Sequence, residues 1–182
     1  MSVIVITGIQ AAGKSTVAQA LAESLPNSVH VRGDLFRRMI VNGRAEMSST
    51  TPAPEALAQL VLRYELAADT ADRYAQAGFT VVLQDIILGE HLRYVVDRIR
   101  SRPLSVVVLA PSVAAVAKRD AKRRATRGKA AYQPGRADIA MFDDWLRSTT
   151  PRIGYWIDTS ELSVAETVAD IRGHLRSSAR VA

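Results

Sequence analysis

The chain has 182 residues, 48% of them hydrophobic and 23% charged, which is enough apolar material for one core and sets the expectation of a single domain over residues 1–182. No run of about 18 apolar residues is present, and no basic stretch precedes an apolar run and a small-residue cleavage site, so neither a membrane span nor a signal peptide is expected and the expected location is cytoplasmic. Cysteine is absent, which removes disulfides, thiolate metal sites and cysteine nucleophiles together; the net charge of +6 is local, because Lys118, Arg119, Lys122, Arg123, Arg124, Arg127 and Lys129 stand against Asp120 alone.

In chain order, the β-branched run from Val3 to Thr7 predicts a strand, followed by a glycine loop and a helix to about Leu25, stopped by Pro26. Val29 to Arg32 predicts a second strand, Asp34 to Asn42 a short helix closed by Gly43, and Met47 to Pro54 a loop. From Glu55 to Ala77, Leu57, Leu60, Val61, Tyr64, Ala68, Ala71 and Ala75 recur at helical spacing up to a stop at Gly78. Thr80 to Leu83 and Ser105 to Leu109 are continuous apolar runs of the kind buried on both faces of a parallel sheet, and Tyr155 to Ile157 is a shorter candidate. Helices are predicted over Glu90 to Arg100, over Ser112 to Thr126 with Ser112 as N-cap, and over Ser163 to Leu175 with Ser163 and Glu166 in capping-box spacing. Alternating strands and helices imply a three-layer α/β fold around about five parallel strands.

The stretch TGIQAAGKST carries the strongest chemical signal. Gly8, Gly13, Lys14 and Ser15 fit G-x-x-x-x-G-K-[ST], in which glycines let backbone N–H groups converge on phosphate oxygens, the lysine reaches the outer phosphates and the hydroxyl ligates magnesium. Gly8, Ile9, Gln10, Ala11, Ala12, Gly13, Lys14, Ser15 and Thr16 are therefore the expected nucleotide-binding residues, with ATP and Mg2+ as expected cofactors.

Two aspartates follow predicted strands, on the edge where parallel strands open toward ligand. Asp34 has two readings: a base that accepts a hydroxyl proton and orients the oxygen toward the γ-phosphate, or a cap on the helix beginning at Leu35. Asp85 is either a carboxylate serving magnesium and substrate or a turn residue. Arg37 and Arg38 read as substrate contacts or as solvated helix charges, and Gln84 and His91 as weaker candidates for the same cleft. Further on, Arg119, Arg123 and Arg127 share one helix face until Gly128 breaks it. That face is either solvated or the core of a lid, roughly residues 118–135, whose arginines close over phosphates, neutralise charge and exclude water. Asp158, Thr159 and Ser160 would line an adenine pocket or merely shape a turn.

Taken together, the phosphate loop, the aspartate after the second strand, the strand-terminal aspartate, the arginine-rich lid and the DTSELSVAETV tail resemble the small P-loop kinases, among them chloramphenicol phosphotransferase, a tunicamycin-resistance protein and the kinase half of polynucleotide kinase. The resemblance spans nearly the whole chain. It implies a P-loop NTPase/kinase fold and transfer of the γ-phosphate of ATP to an alcohol group of a small molecule such as an antibiotic or a nucleoside, with Asp34 as base. It further implies that Lys14 and Ser15 bind phosphate and magnesium and that Arg119, Arg123 or Arg127 bind phosphates; with the residue readings above, the expected set is Lys14, Arg123 and Arg127 stabilising charge, Arg119 and Arg123 on the nucleotide, Asp34, Arg37, Arg38 and Asp85 at the acceptor, and Ser15 and Asp85 at the metal. The alternatives are a polynucleotide 5'-hydroxyl kinase, with nucleic acid only as a substrate end, and a non-kinase ATPase or nucleotide switch. The lid departs from polynucleotide kinase in carrying more arginines between KRD and RG, and Met47 to Pro54 has no counterpart in the family pattern.

Overall fold

Val3, Val5 and Ile6 of the first strand are fully buried, as a run without polar alternation requires. The computed structural model describes residues 2–47, 52–128, 132 and 138–181, without the Arg127 side chain. The expectations for residues 48–51, and for the lid beyond Gly128 apart from Tyr132, lie outside that set. The elements run β1 (Val3–Thr7), α1 (Lys14–Glu23), β2 (Ser28–Arg32), α2 (Asp34–Arg38), α3 (Pro54–Gln76), β3 (Thr80–Gln84), α4 (His91–Arg98), β4 (Leu104–Leu109), α5 (Val113–Arg127), α6 (Ile139–Thr149), β5 (Tyr155–Ile157), α7 (Val164–His174) and β6 (Arg180–Val181).

Five strands pair in parallel in the order β2-β3-β1-β4-β5, and β6 adds an antiparallel pairing to β4. Helices α1 and α7 pack together, as do α3 and α4, and both α1 and α3 rest on β3, so the sheet lies between two helical layers. On α3 most of the side chains turned inward are small, Tyr64 and Asp72 being the exceptions. Ala67, Ala68, Ala71 and Ala75 are buried and let the long helix lie close to the strands. From β1 the chain passes beyond the place of β3 to form β2, and later returns across β1 to form β4. The reversal leaves a crevice at the carboxyl ends of the central strands. In register, Ile6 stands opposite Gln84 and Arg32 opposite Gln84, which brings the residues just after each strand to one edge.

The predicted caps form. Ser112 accepts from the Ala115 N–H at 3.2 Å, Ser163 and Glu166 complete a capping box, and α5 ends at Gly128 in the left-handed conformation with φ 62°. One expectation is corrected and one element is added. The helix from Asp34 ends at Arg38 rather than reaching Asn42 and Gly43, because it has no buried residue to favour further turns and Val41 is 87% exposed. A helix that the sequence reading did not place, α6, comes between α5 and β5 in the chain; Asp138 caps it by accepting from the Met141 N–H at 2.8 Å, and Leu146 anchors it in the core.

Candidate active site

The phosphate loop joins β1 to α1 through backbone that only certain residues tolerate. Gly8 has φ 142°, and a Cβ there would meet the Leu109 carbonyl; Gly13, at the N-cap of α1, has φ 98°. Ala11 also sits in the left-handed region, at φ 58°, a cost of about 1–2 kcal/mol that the loop holds in place. Among the described residues, no acceptor meets the N–H groups of Gly13, Lys14 or Ser15, and no side chain caps α1. A helix start with unsatisfied donors and positive dipole is an anion site.

Lys14 is 6% exposed and its ammonium donates to the Ile9 carbonyl at 2.6 Å. Burial, reinforced by the nearby Arg63 and Arg123 cations, lowers its pKa to about 7 against the opposing pull of Asp85 and Asp34. The Ser15 hydroxyl donates to Gln84 Oε1 at 3.1 Å. These oxygens suit a hard divalent cation; magnesium keeps waters and phosphate oxygens as most of its ligands, so it requires no protein cage, and among the described residues no cluster of three His, Asp or Glu forms one.

Asp34 opens α2 with Gly33 in the N-cap position, and its carboxylate accepts no backbone N–H among the described residues. One oxygen pairs with Arg38 at 2.8 Å. The other, Oδ1, is shielded from solvent without a hydrogen bond, with the Arg32 Nε at 3.7 Å. The geometry therefore lacks the capping bond that the simpler reading of Asp34 requires. Arg37 pairs with Glu46, and both Arg37 and Arg38 line the cleft with Asp34.

Asp85 directly follows β3 and lines the cleft, where an ion pair holds it. Both its oxygens receive Arg63 of α3, Nε to Oδ2 at 2.6 Å and Nη2 to Oδ1, and Oδ1 also accepts from the Ile86 N–H at 2.7 Å. Burial disfavours charge on each partner, and each is the main counterweight for the other. A Cβ at Gly33 would collide with this carboxylate, so the residue before Asp34 is fixed by its lack of a side chain. Sequence reasoning missed Arg63: a lone cation on an amphipathic helix reads as solvated, and only its position beside Tyr64, on the buried face, hinted otherwise.

On the opposite side, Arg119 bridges two loops. It donates to the Ala12 carbonyl at 3.1 Å, to Thr159 Oγ1 at 3.2 Å and to the Thr159 carbonyl, tying the phosphate loop to the turn after β5. Arg123 lines the cleft; the Arg127 side chain lies outside the described residues. Thr159 is buried and lines the cleft, whereas Asp158 and Ser160 bond each other and Ser160 receives the Ser112 N–H, which makes those two turn residues. His91 lines the cleft 5.5 Å from the Tyr64 ring, with its pKa lowered by burial. Gln84 lies beside Ser15 as described, and Phe142 and Trp145 of α6, absent from the expectations, complete a cleft of about 1170 Å³.

Solved structures of similar fold include a sugar kinase from Janibacter sp. HTCC2649 (TM-score 0.68, 16% identity, 97% of this chain and 95% of that one). The Deinococcus radiodurans tunicamycin resistance protein is also similar (TM-score 0.64, 18% identity, 96% and 95%), as is a gluconokinase from Sinorhizobium meliloti 1021 (TM-score 0.61, 19% identity, 96% and 91%). None of the curated proteins matches the sequence. No helix among the described residues is long and apolar enough to cross a membrane. The fold is that of the P-loop kinases, and since the model of the AAA domain family AAA_33 matches residues 3–151, the chain belongs to that family.

Proposed function

We propose that the protein is an ATP- and magnesium-dependent phosphotransferase acting on a hydroxyl of a small molecule. One observation carries this reading. A phosphate loop with its N–H donors unengaged and Asp34, a carboxylate that caps no helix, line one cleft. A nucleotide binder needs only the first; transfer to an alcohol needs a carboxylate as well.

In this reading the loop amides and Lys14 hold the β- and γ-phosphates, and Ser15, with Gln84 beside it, would hold the magnesium, while Asp85, lining the same cleft but paired with Arg63, would reach the ion through its waters. Magnesium when bound neutralises charge on the phosphate oxygens. Asp34, whose side chain is partly exposed to the cleft, takes the acceptor's hydroxyl proton on its carboxylate, with Arg32 and Arg38 keeping that group in place. Arg37 and Arg38 border the acceptor; Arg123 and Arg127 offset charge that builds on the transferred group, and Arg119 holds the loop against the nucleotide. The similarity in fold to sugar kinases and to a tunicamycin resistance protein supports a kinase and leaves the acceptor to the chemistry of the cleft.

The test is ADP release with ATP and magnesium across a panel of hydroxyl compounds. Turnover that depends on an acceptor, with phosphate recovered on that acceptor, is the expected result. Brisk hydrolysis in water alone, unchanged by any acceptor, would mark an ATPase or switch instead.

A further inference from the structure

One wall of the cleft is left unused by the chemistry above. Phe142 and Trp145 line it, 6.1 Å apart at 36°, and Tyr132 lies behind Phe142 at 6.0 Å and 64°. The Tyr132 hydroxyl donates to the Gln10 carbonyl at 3.0 Å, which pins one end of the ladder to the phosphate loop. The other end lies against the turn after β3, where the Trp145 Nε1 comes within 3.5 Å of the position a Cβ would take at Gly89. Phe142 and Trp145 thus line the cleft together with Leu88 and His91. Trp145 is 38% exposed, a large ring left open to a concave site, and among the described residues its indole N–H has no acceptor.

We infer that this wall is the acceptor's docking face and that the acceptor carries a planar unsaturated ring, stacked on Trp145 with its hydroxyl turned toward Asp34; the inference rests on the kinase reading. An open-chain or cyclic polyol is a poor occupant. Each of its hydroxyls would lose water on entry and need a partner, and the surface formed by Leu88, Phe142 and Trp145 offers the indole N–H, with His91 at its edge. A flat ring presents no such demand, gains dispersion and quadrupole contact with the indole, and can take that N–H on a ring heteroatom or carbonyl. Nucleosides and aryl alcohols fit this description; simple sugar acids do not.

The experiment uses Trp156→Phe protein, in which Trp145 is the one remaining tryptophan of the two. Its emission is followed as uridine, 2-phenylethanol and gluconate are added with ADP present, and ADP release is measured separately with ATP. Saturable quenching by the ring compounds and none by gluconate is expected. Trp145→Ala should raise the KM of a ring-bearing acceptor about 10- to 100-fold while leaving the KM of ATP near its original value, and Trp145→Phe should restore most of the loss. Quenching without acceptor-dependent turnover would support the wall and overturn the kinase reading. Silence of Trp145 toward both ring compounds, or an acceptor KM unmoved by Trp145→Ala, would overturn the inference.

Discussion

Arg63 and Asp85, 22 residues apart, meet in a two-pronged ion pair beneath the cleft, with side chains 12% and 2% exposed. The pair joins α3 to the end of β3, and the Asp85 carboxylate fills the space that a side chain at Gly33 would need. It therefore links the sheet edge to the turn that presents Asp34. Arg63→Ala would leave a buried carboxylate without its partner, a loss of about 3–5 kcal/mol. Thermal unfolding should show a Tm lower by roughly 10 °C or more. The double variant Arg63→Ala, Asp85→Ala should recover part of that drop, because no uncompensated charge remains. A single variant that unfolds at the wild-type temperature would contradict the pairing.

Lys14 gives a prediction in pH. Its pKa is lowered to about 7 in the free protein, chiefly by burial, and phosphate oxygens would raise it again on binding. Below pH 7 the ammonium is already charged and binding changes little. Above pH 7 the free protein has lost that proton and must take it up to bind, so nucleotide affinity should fall with rising pH, by up to about tenfold per unit. Calorimetric titration with ADP at pH 8, in buffers of different ionisation enthalpy, should show proton uptake. Lys14→Met should abolish the pH slope along with most of the affinity. An affinity flat from pH 6.5 to 8.5 in the wild type would refute the shift.

Arg119 spans the phosphate loop and the turn after β5 through Ala12 and Thr159. Removing it frees both loops and exposes a buried carbonyl. Arg119→Ala should raise the KM for ATP about tenfold or more, whereas the acceptor KM, set in this account by residues that Arg119 does not bond, should change far less. Steady-state kinetics with each substrate varied in turn separates the two. An equal rise in both would mean that Arg119 acts on the fold as a whole.

Much of this architecture is legible in the chain. Val3–Thr7 and Leu104–Leu109 announce buried parallel strands because every residue is apolar or small, and the phosphate loop needs so specific a set of glycines and a lysine that its spacing suffices. Ser112 and Ser163 mark helix starts through chemistry that is local to three or four residues. What escaped reading is non-local or brief. α6 carried its signals in Asp138 and in Ile139, Phe142 and Leu146 at helical spacing, yet it follows a stretch with Pro134 and Gly135 that reads as loop. β6 is two residues long and owes its existence to pairing with β4. Arg63 and Asp85 are brought together by the packing of α3 on β3, which no spacing within either segment encodes.

Asp34 separates a phosphotransferase from a bare nucleotide binder, and Asp34→Asn tests that most directly. The amide keeps the size of the side chain and removes the base, so the affinity for ATP, measured by equilibrium binding, should stay near the wild-type value while turnover with the same acceptor falls about 10²- to 10⁴-fold. Turnover equal to wild type at equal ATP affinity would leave Asp34 a partner of Arg38 and nothing more, and would contradict the account.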